Sequence, residues 1–158
     1  MHVASIEQAI KDLDLIRPPR LKLAADFTLD TRGGGRFHLS EQKGKVVFIN
    51  FWATWCPPCQ EEMPAMERLY TRYKTNGLVM LAVSVDADPR AVTPFITEHK
   101  FTFTVGFDSN MELANAYGVR GLPASFVVDR QGHLAAIALG PRGWDSAAAR
   151  ALVEGLTR

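Results

Sequence analysis

Cysteine is scarce in this sequence: the 158 residues include two, at positions 56 and 59. A structural disulfide framework normally uses more cysteines, and a bond between residues so close together constrains the unfolded chain little. A structural zinc site would need a second ligand pair, and none of the four histidines is spaced as one. The pair is therefore predicted to serve chemistry rather than architecture.

Excess charge and long apolar runs are missing too. The formal net charge is +1, and no basic stripe of the kind that binds nucleic acid is present. The longest apolar stretches, such as 79–85, are far shorter than the roughly 20 residues that cross a bilayer. No secretory signal pattern opens the chain. We expect a soluble chain, either cytoplasmic or exported and written without its signal or anchor.

The remaining composition suits one α/β domain. Residues 1–20 predict a short N-terminal helix, capped by Ser5, and a linker with two prolines, before a main domain over 21–158. Residues 27–39 predict a strand pair, and the apolar run 46–52 predicts a central strand covered on both faces. Beyond it, helical patterns alternate with buried-strand patterns; the helices are 61–74, 88–99, 110–117 and 144–156, and the strands are 78–85, 104–107, 124–128 and 134–138. This order predicts an open mixed sheet with helices on both faces.

The letters WCPPC, residues 55–59, stand between the central strand and the first long helix. A thiol attacks only as thiolate, and a helix N-terminus lowers the pKa of a cysteine from about 8.5. Cys56 is predicted to occupy such a position, with Cys59 one turn later to resolve a mixed disulfide. Pro57 and Pro58 suit the first turn but remove two N–H donors, so we expect a milder thiolate and a reducing poise.

Other Cys-x-x-Cys chemistries lack a required partner. Covalent haem attachment needs histidine directly after the second cysteine, where Gln60 stands. A peroxidase pattern does not surround Cys56. A metal-delivery module with the thiols as soft ligands stays open, although such sites usually add His or Met. Asp86 and Asp88 could bind metal but are better explained as helix caps.

Two segments resemble the thioredoxin superfamily. Residues 51–59, FWATWCPPC, resemble the active-site segment of thioredoxins, and residues 118–126, GVRGLPASF, resemble their second segment, which carries a cis-proline. The details fit the TlpA/ResA-like branch of extracytoplasmic thiol–disulfide oxidoreductases over residues ~24–157. The resemblance implies an α/β thioredoxin fold, a central mixed sheet flanked by helices, with an N-terminal strand pair and a central helix–strand insertion at 86–108.

The resemblance also implies roles for individual residues. Cys56 would be the exposed nucleophile and Cys59 the resolving cysteine, so that their redox-active disulfide serves in place of a cofactor or metal. Pro123 would be the cis-proline, with the Leu122 backbone pairing with an incoming peptide. From the sequence alone, a trans proline opening a strand is the favoured alternative. Trp55, beside the sulfurs, would join Pro57, Pro58, Leu122 and Pro123 in contacting substrate.

One further residue is carried over by position. Thioredoxins have a buried aspartate where Asn50 stands here, and the TlpA/ResA-like branch commonly combines this Asn with a glutamate at the position of Glu62. The resemblance makes Glu62 a base that helps deprotonate Cys59 and a negative neighbour that raises thiol pKa values. The residues alone equally allow an acidic side chain favoured early in a helix by its dipole.

The expected activity is reduction of protein disulfides by a monomer. The resemblance implies an extracytoplasmic and often membrane-anchored protein, apocytochrome c maturation or a similar reduction, and a membrane thiol donor that re-reduces the site. An oxidase or isomerase on the same fold is the enzymatic alternative. A reduction potential near about −270 mV favours the reductase, and one near about −120 mV the oxidase.

Overall fold

Seven strands and five helices form the described chain, residues 2–158 of a computed structural model. Met1 and the side chains of residues 2–5, including the predicted Ser5 cap, lie outside the described part. The strands are β1 Thr28–Asp30, β2 Arg36–His38, β3 Val46–Trp52, β4 Leu78–Ser84, β5 Thr104–Phe107, β6 Ala124–Val128 and β7 Leu134–Leu139. The helices are α1 His2–Asp12, α2 Pro57–Tyr73, α3 Val92–His99, α4 Glu112–Ala116 and α5 Ala147–Thr157.

The main sheet has five strands in the order β5-β4-β3-β6-β7. Strands β3, β4 and β5 are parallel, whereas β6 is antiparallel to both β3 and β7. All seven residues of β3 are buried, as a strand covered on both faces requires. The predicted mixed sheet is confirmed, the strand pair is β1 with β2, and the predicted insertion is α3 with β5.

The carboxyl end of β3 leads directly into the cysteine motif. Trp52, the last residue of β3, lies opposite Ser84, the last residue of the parallel strand β4. The loops that follow these two strands therefore leave the same edge of the sheet side by side. Helix α2 then begins at Pro57, because the first N–H groups of a helix have no partner within it and proline costs nothing there.

Helix α1 packs against α5 at the other end of the chain. Ala9, Ile10 and Leu13 are buried in the same hydrophobic core as the sheet. Beyond α1, Ile16 pairs with Ile137 on β7 through two backbone hydrogen bonds of 2.8 and 2.9 Å. The predicted division at residue 20 stays a prediction. Among the described residues, no helix combines the length and the apolar character needed to cross a membrane.

Candidate active site

A disulfide joins Cys56 and Cys59 at the start of α2, with their Cα atoms 5.3 Å apart. Cys56 is the N-cap residue, and its Sγ accepts a hydrogen bond from the Cys59 backbone N–H at 3.3 Å. Pro57 and Pro58 carry no N–H, so this is the first donor that the helix offers to the sulfur. The predicted position of Cys56 at a helix N-terminus is confirmed, and there the helix dipole favours a thiolate once the bond is reduced.

The two sulfurs differ in access. Cys56 exposes 5% of its surface and Cys59 none. An incoming disulfide can therefore reach Cys56 but not Cys59, which agrees with the predicted roles of Cys56 as nucleophile and Cys59 as resolving cysteine. The expectation of an exposed Cys56 is wrong for the oxidised protein, because its side chain lines a groove instead of projecting into solvent.

This groove has a volume of about 430 Å³ and a largely apolar lining. Three of the predicted substrate contacts lie on it beside Cys56: Trp55, Pro57 and Leu122. Sequence analysis missed the other lining residues, which are Val85, Met111, Val119, Arg120 and Gly121. Trp55 is 67% exposed, and an exposed aromatic ring on an apolar groove suits contact with another polypeptide.

The remaining two predicted substrate contacts lie elsewhere. The Leu122–Pro123 peptide bond is cis, as the resemblance implies, so the trans alternative is wrong. Pro123 itself is buried, and Pro58 is exposed on the first turn of α2. Neither proline lines the groove, and their contact with substrate stays a prediction.

A buried carboxylate lies further along α2. Glu62 exposes 4% of its surface. Its Oε1 accepts a hydrogen bond from Asn50 Nδ2 at 2.8 Å, and its Oε2 accepts from the Trp144 indole at 2.8 Å and the Arg142 backbone N–H at 3.1 Å. Burial raises the pKa of Glu62, and these hydrogen bonds and the Arg142 charge only partly offset it. Such burial argues against a surface charge placed to suit the helix dipole.

All three partners of Glu62 are N–H donors, which suit an ionised carboxylate. A protonated carboxyl needs an acceptor, and Asn50 Oδ1 would supply one if its amide turned over, because this buried oxygen has no partner among the described side chains. Asn50 Nδ2 also donates to Ser125 Oγ at 2.9 Å, and that hydroxyl can donate instead. The network can therefore hold Glu62 in either protonation state, as a proton-exchanging group requires.

Comparison with known proteins places the chain in a family. The AhpC/TSA family profile matches residues 21–137. This chain belongs to the AhpC/TSA family. Within it the ResA-like thioredoxin-fold branch is also shown, because over 117 residues the chain is 41% identical to thiol-disulfide oxidoreductase ResA of Geobacillus kaustophilus (strain HTA426), covering 74% of this chain and 67% of that protein.

Two further relatives agree. ResA of Bacillus thuringiensis (strain Al Hakam) is 40% identical over 111 residues, which are 70% of this chain and 64% of that protein. The AhpC/TSA-family chain thus spans somewhat less than two thirds of that relative's length. A solved Chlorobium tepidum structure, described as a thiol:disulfide interchange protein DsbE, superimposes with a TM-score of 0.79 at 34% identity, over 87% of this chain and 97% of that one. The predicted resemblance and the thioredoxin fold are confirmed.

A second buried carboxylate fixes the loop that delivers Cys56 in this family member. Asp86, 4% exposed, accepts hydrogen bonds from the Thr54 backbone N–H at 3.0 Å, the Thr54 hydroxyl at 2.5 Å and the Ser84 hydroxyl at 2.6 Å. Asp88 caps the turn at Pro89–Ala91 as predicted, by accepting from the Arg90 backbone N–H. The predicted cap role of Asp86 is wrong: it ties the loop after β3 to the end of β4.

Replacing this carboxylate should destabilise the fold. In Asp86→Asn an amide N–H group takes the place of one acceptor oxygen and faces buried donors, so we expect the free energy of unfolding to fall by about 2 kcal/mol. Asp88→Asn is the matched control, because asparagine caps as well as aspartate at this exposed turn. Urea denaturation of the oxidised proteins measures both, and equal stability of the two variants would contradict the assigned role.

Proposed function

We propose that the protein is a thiol–disulfide oxidoreductase that reduces disulfide bonds in other proteins. One observation carries the proposal: a disulfide at a helix N-terminus has one sulfur on an apolar groove and the other fully buried. That asymmetry suits a nucleophile that meets substrate and a second thiol that meets only the first. The relatives named thiol-disulfide oxidoreductase support the same activity.

The reaction begins from the reduced pair. The Cys56 thiolate attacks one sulfur of a substrate disulfide, forming a mixed disulfide and releasing the other substrate sulfur as thiolate. The Cys59 thiolate then attacks Cys56 Sγ, which expels the second substrate thiolate and forms the Cys56–Cys59 disulfide. Two electrons pass to the substrate, and its thiolates take up two protons. In this scheme Glu62 accepts the Cys59 proton before the second step.

The substrate is a polypeptide that carries a disulfide. Support comes from the groove, where Trp55 and Leu122 flank Cys56 and would contact the residues around the substrate sulfur. We also infer that a membrane thiol donor returns two electrons to the cysteine pair, and that the protein acts outside the cytoplasm. Both follow from the TlpA/ResA-like resemblance.

Whether the protein reduces or oxidises its substrates is the finer part of the proposal. Strongly oxidising pairs owe their potential to a highly stabilised reduced form. Here the two prolines leave the Cys56 sulfur with a single nearby backbone donor, which supports a reducing poise. A potential near that of thioredoxin, about −270 mV, agrees with this direction, whereas one near about −120 mV would make the protein an oxidase. Equilibration with glutathione distinguishes them.

Trapping tests the mechanism directly. In reduced Cys59→Ser the resolving thiol is absent, so Cys56 should remain joined to a disulfide-bearing protein after attack, with most of the enzyme captured at excess substrate. Non-reducing electrophoresis and mass spectrometry of the linked peptides measure this, and the double variant lacking both thiols is the control. A folded Cys59→Ser protein that captures nothing would overturn the proposal.

A further inference from the structure

The Glu62 carboxylate is held largely from the loop between β7 and α5, residues 140–146. Two of its three donors belong to this loop: the Arg142 backbone N–H and the Trp144 indole. Trp144 is fixed in turn, because it is 1% exposed and its ring packs edge-on against Phe48 with centroids 4.6 Å apart. The loop lies beyond the residues that the family profile matches.

The side chain of Arg142 fastens this loop to the N-terminal helix. Its Nε donates to the Leu13 carbonyl at 2.6 Å and one terminal nitrogen to the Asp14 carbonyl at 2.9 Å. The other terminal nitrogen donates to the carbonyls of Leu139 and Pro141 at 3.1 and 2.9 Å. Carbonyls at the end of a helix lack partners within it, and the negative end of the helix dipole attracts a cation.

These contacts form one continuous path from α1 to the redox site. Helix α1 is anchored through the buried Ile10 and through Leu13, which follows directly after the helix and is buried too. The Arg142 guanidinium holds the carbonyls that follow it, and the backbone of the same residue holds Glu62. Glu62 lies on α2, one turn beyond Cys59.

We propose that Arg142 is a positioning residue of the redox site: its guanidinium fastens loop 140–146 to the end of α1, so that the two N–H groups of the loop stay on Glu62. Its consequence for thiol exchange rests on the proposed function, in which Glu62 takes the Cys59 proton. Without this anchor the backbone at Arg142 loosens and its N–H no longer holds Glu62, whereas the packed Trp144 ring keeps the carboxylate buried. Glu62 should then keep its proton to higher pH.

The titration of Glu62 in the oxidised protein tests this most directly, because the disulfide does not titrate. The groups that face Glu62 are Asn50 from β3 and Arg142 and Trp144 from the loop, and Arg142 is the charged group that acts on it. Carbon-detected NMR of the Glu62 carboxyl reports its pKa in the wild type and in each variant.

In Arg142→Met we expect the Glu62 pKa to rise by about one unit, a tenfold weaker acid. Arg142→Lys keeps the charge but cannot span the same four carbonyls, so it should also raise the pKa, by a smaller amount. Arg17→Met is the matched control. Arg17 also holds the N-terminal segment, through Glu7 and the Ala135 carbonyl, without touching the loop, and its loss should leave Glu62 unchanged.

Three outcomes would overturn the proposal: no shift in either Arg142 variant, wild-type titration in Arg142→Lys, or an equal shift in Arg17→Met. Wild-type titration in the lysine variant would mean that Arg142 acts by charge alone. If Arg142→Met does not fold, the lysine variant and the control decide. Failure of the proposed function is distinguishable, because it would appear as absent trapping by Cys59→Ser while the Glu62 shift persists.

Discussion

Cys56→Ser should reduce the rate of protein-disulfide reduction by roughly 10³-fold or more, to the background of uncatalysed exchange. A serine hydroxyl does not ionise near neutral pH, so the substrate sulfur meets no thiolate. Cys59 cannot take over, because none of its surface is accessible. Insulin reduction with dithiothreitol as electron source, followed by turbidity, measures the loss.

The control for this result is Cys59→Ser, which lacks the same disulfide but keeps the accessible thiol. Both variants should match the reduced wild type in stability, so a difference between them reports chemistry. Reduced beforehand and mixed with substrate in the absence of dithiothreitol, Cys59→Ser should consume one substrate disulfide per molecule and stop. The assignment of Cys56 as nucleophile is wrong if Cys56→Ser forms mixed disulfides through Cys59 at the wild-type rate.

The fold follows from patterns that are local in the sequence. The apolar run of β3 predicts a central strand, and alternating strand and helix patterns predict the mixed sheet. Helix boundaries are less predictable where the first residues of a helix are not part of its apolar pattern. The apolar spacing of helix α2 starts at residue 61, but the helix itself begins at Pro57, where the cysteine motif places it, and this first turn carries the two prolines and Cys59 instead of an apolar stripe. Helix α5 begins at Ala147 rather than at residue 144, because Ser146 is its N-cap and accepts a hydrogen bond from the Ala149 N–H.

The centre of the site is also readable from the sequence, since Cys56 and Cys59 lie in one short motif between a strand and a helix. The residues that hold the site in place cannot be identified from the sequence. Asp86 meets Thr54 across 32 positions, and Arg142 and Trp144 meet Glu62 across 80 and 82. No periodicity or spacing links such residues, because the contacts exist only after the sheet has assembled. Asn50 and Glu62 are predicted by resemblance, and the structure adds the hydrogen bond that joins them.

Glu62→Gln should slow the resolving step about 10²-fold near neutral pH, the typical contribution of a positioned base. The substitution keeps the shape: a glutamine oxygen can accept from Arg142 and Trp144, and its NH₂ group can face Asn50 Oδ1 once that amide turns over. The mixed disulfide should accumulate, and rapid acid quenching with mass spectrometry measures its lifetime. The deficit should shrink as pH rises towards the thiol pKa, because Cys59 then ionises unaided.

Stability provides an independent check on the same carboxylate, with a definite sign. Its pKa in the folded protein lies above the ordinary value of 4.5, so between those two pH values the folded state binds more protons than the unfolded state. Wild-type stability from this group is therefore greatest below pH 4.5 and is lost as pH rises through the folded pKa.

Glutamine does not titrate, so the stability of Glu62→Gln relative to wild type should increase between pH 4.5 and the folded pKa of Glu62 and then level off. Urea unfolding of the oxidised proteins at a series of pH values measures this difference. A relative stability that falls with pH would mean that the hydrogen bonds from Asn50, Arg142 and Trp144 outweigh burial, leaving Glu62 too weak a base to deprotonate Cys59.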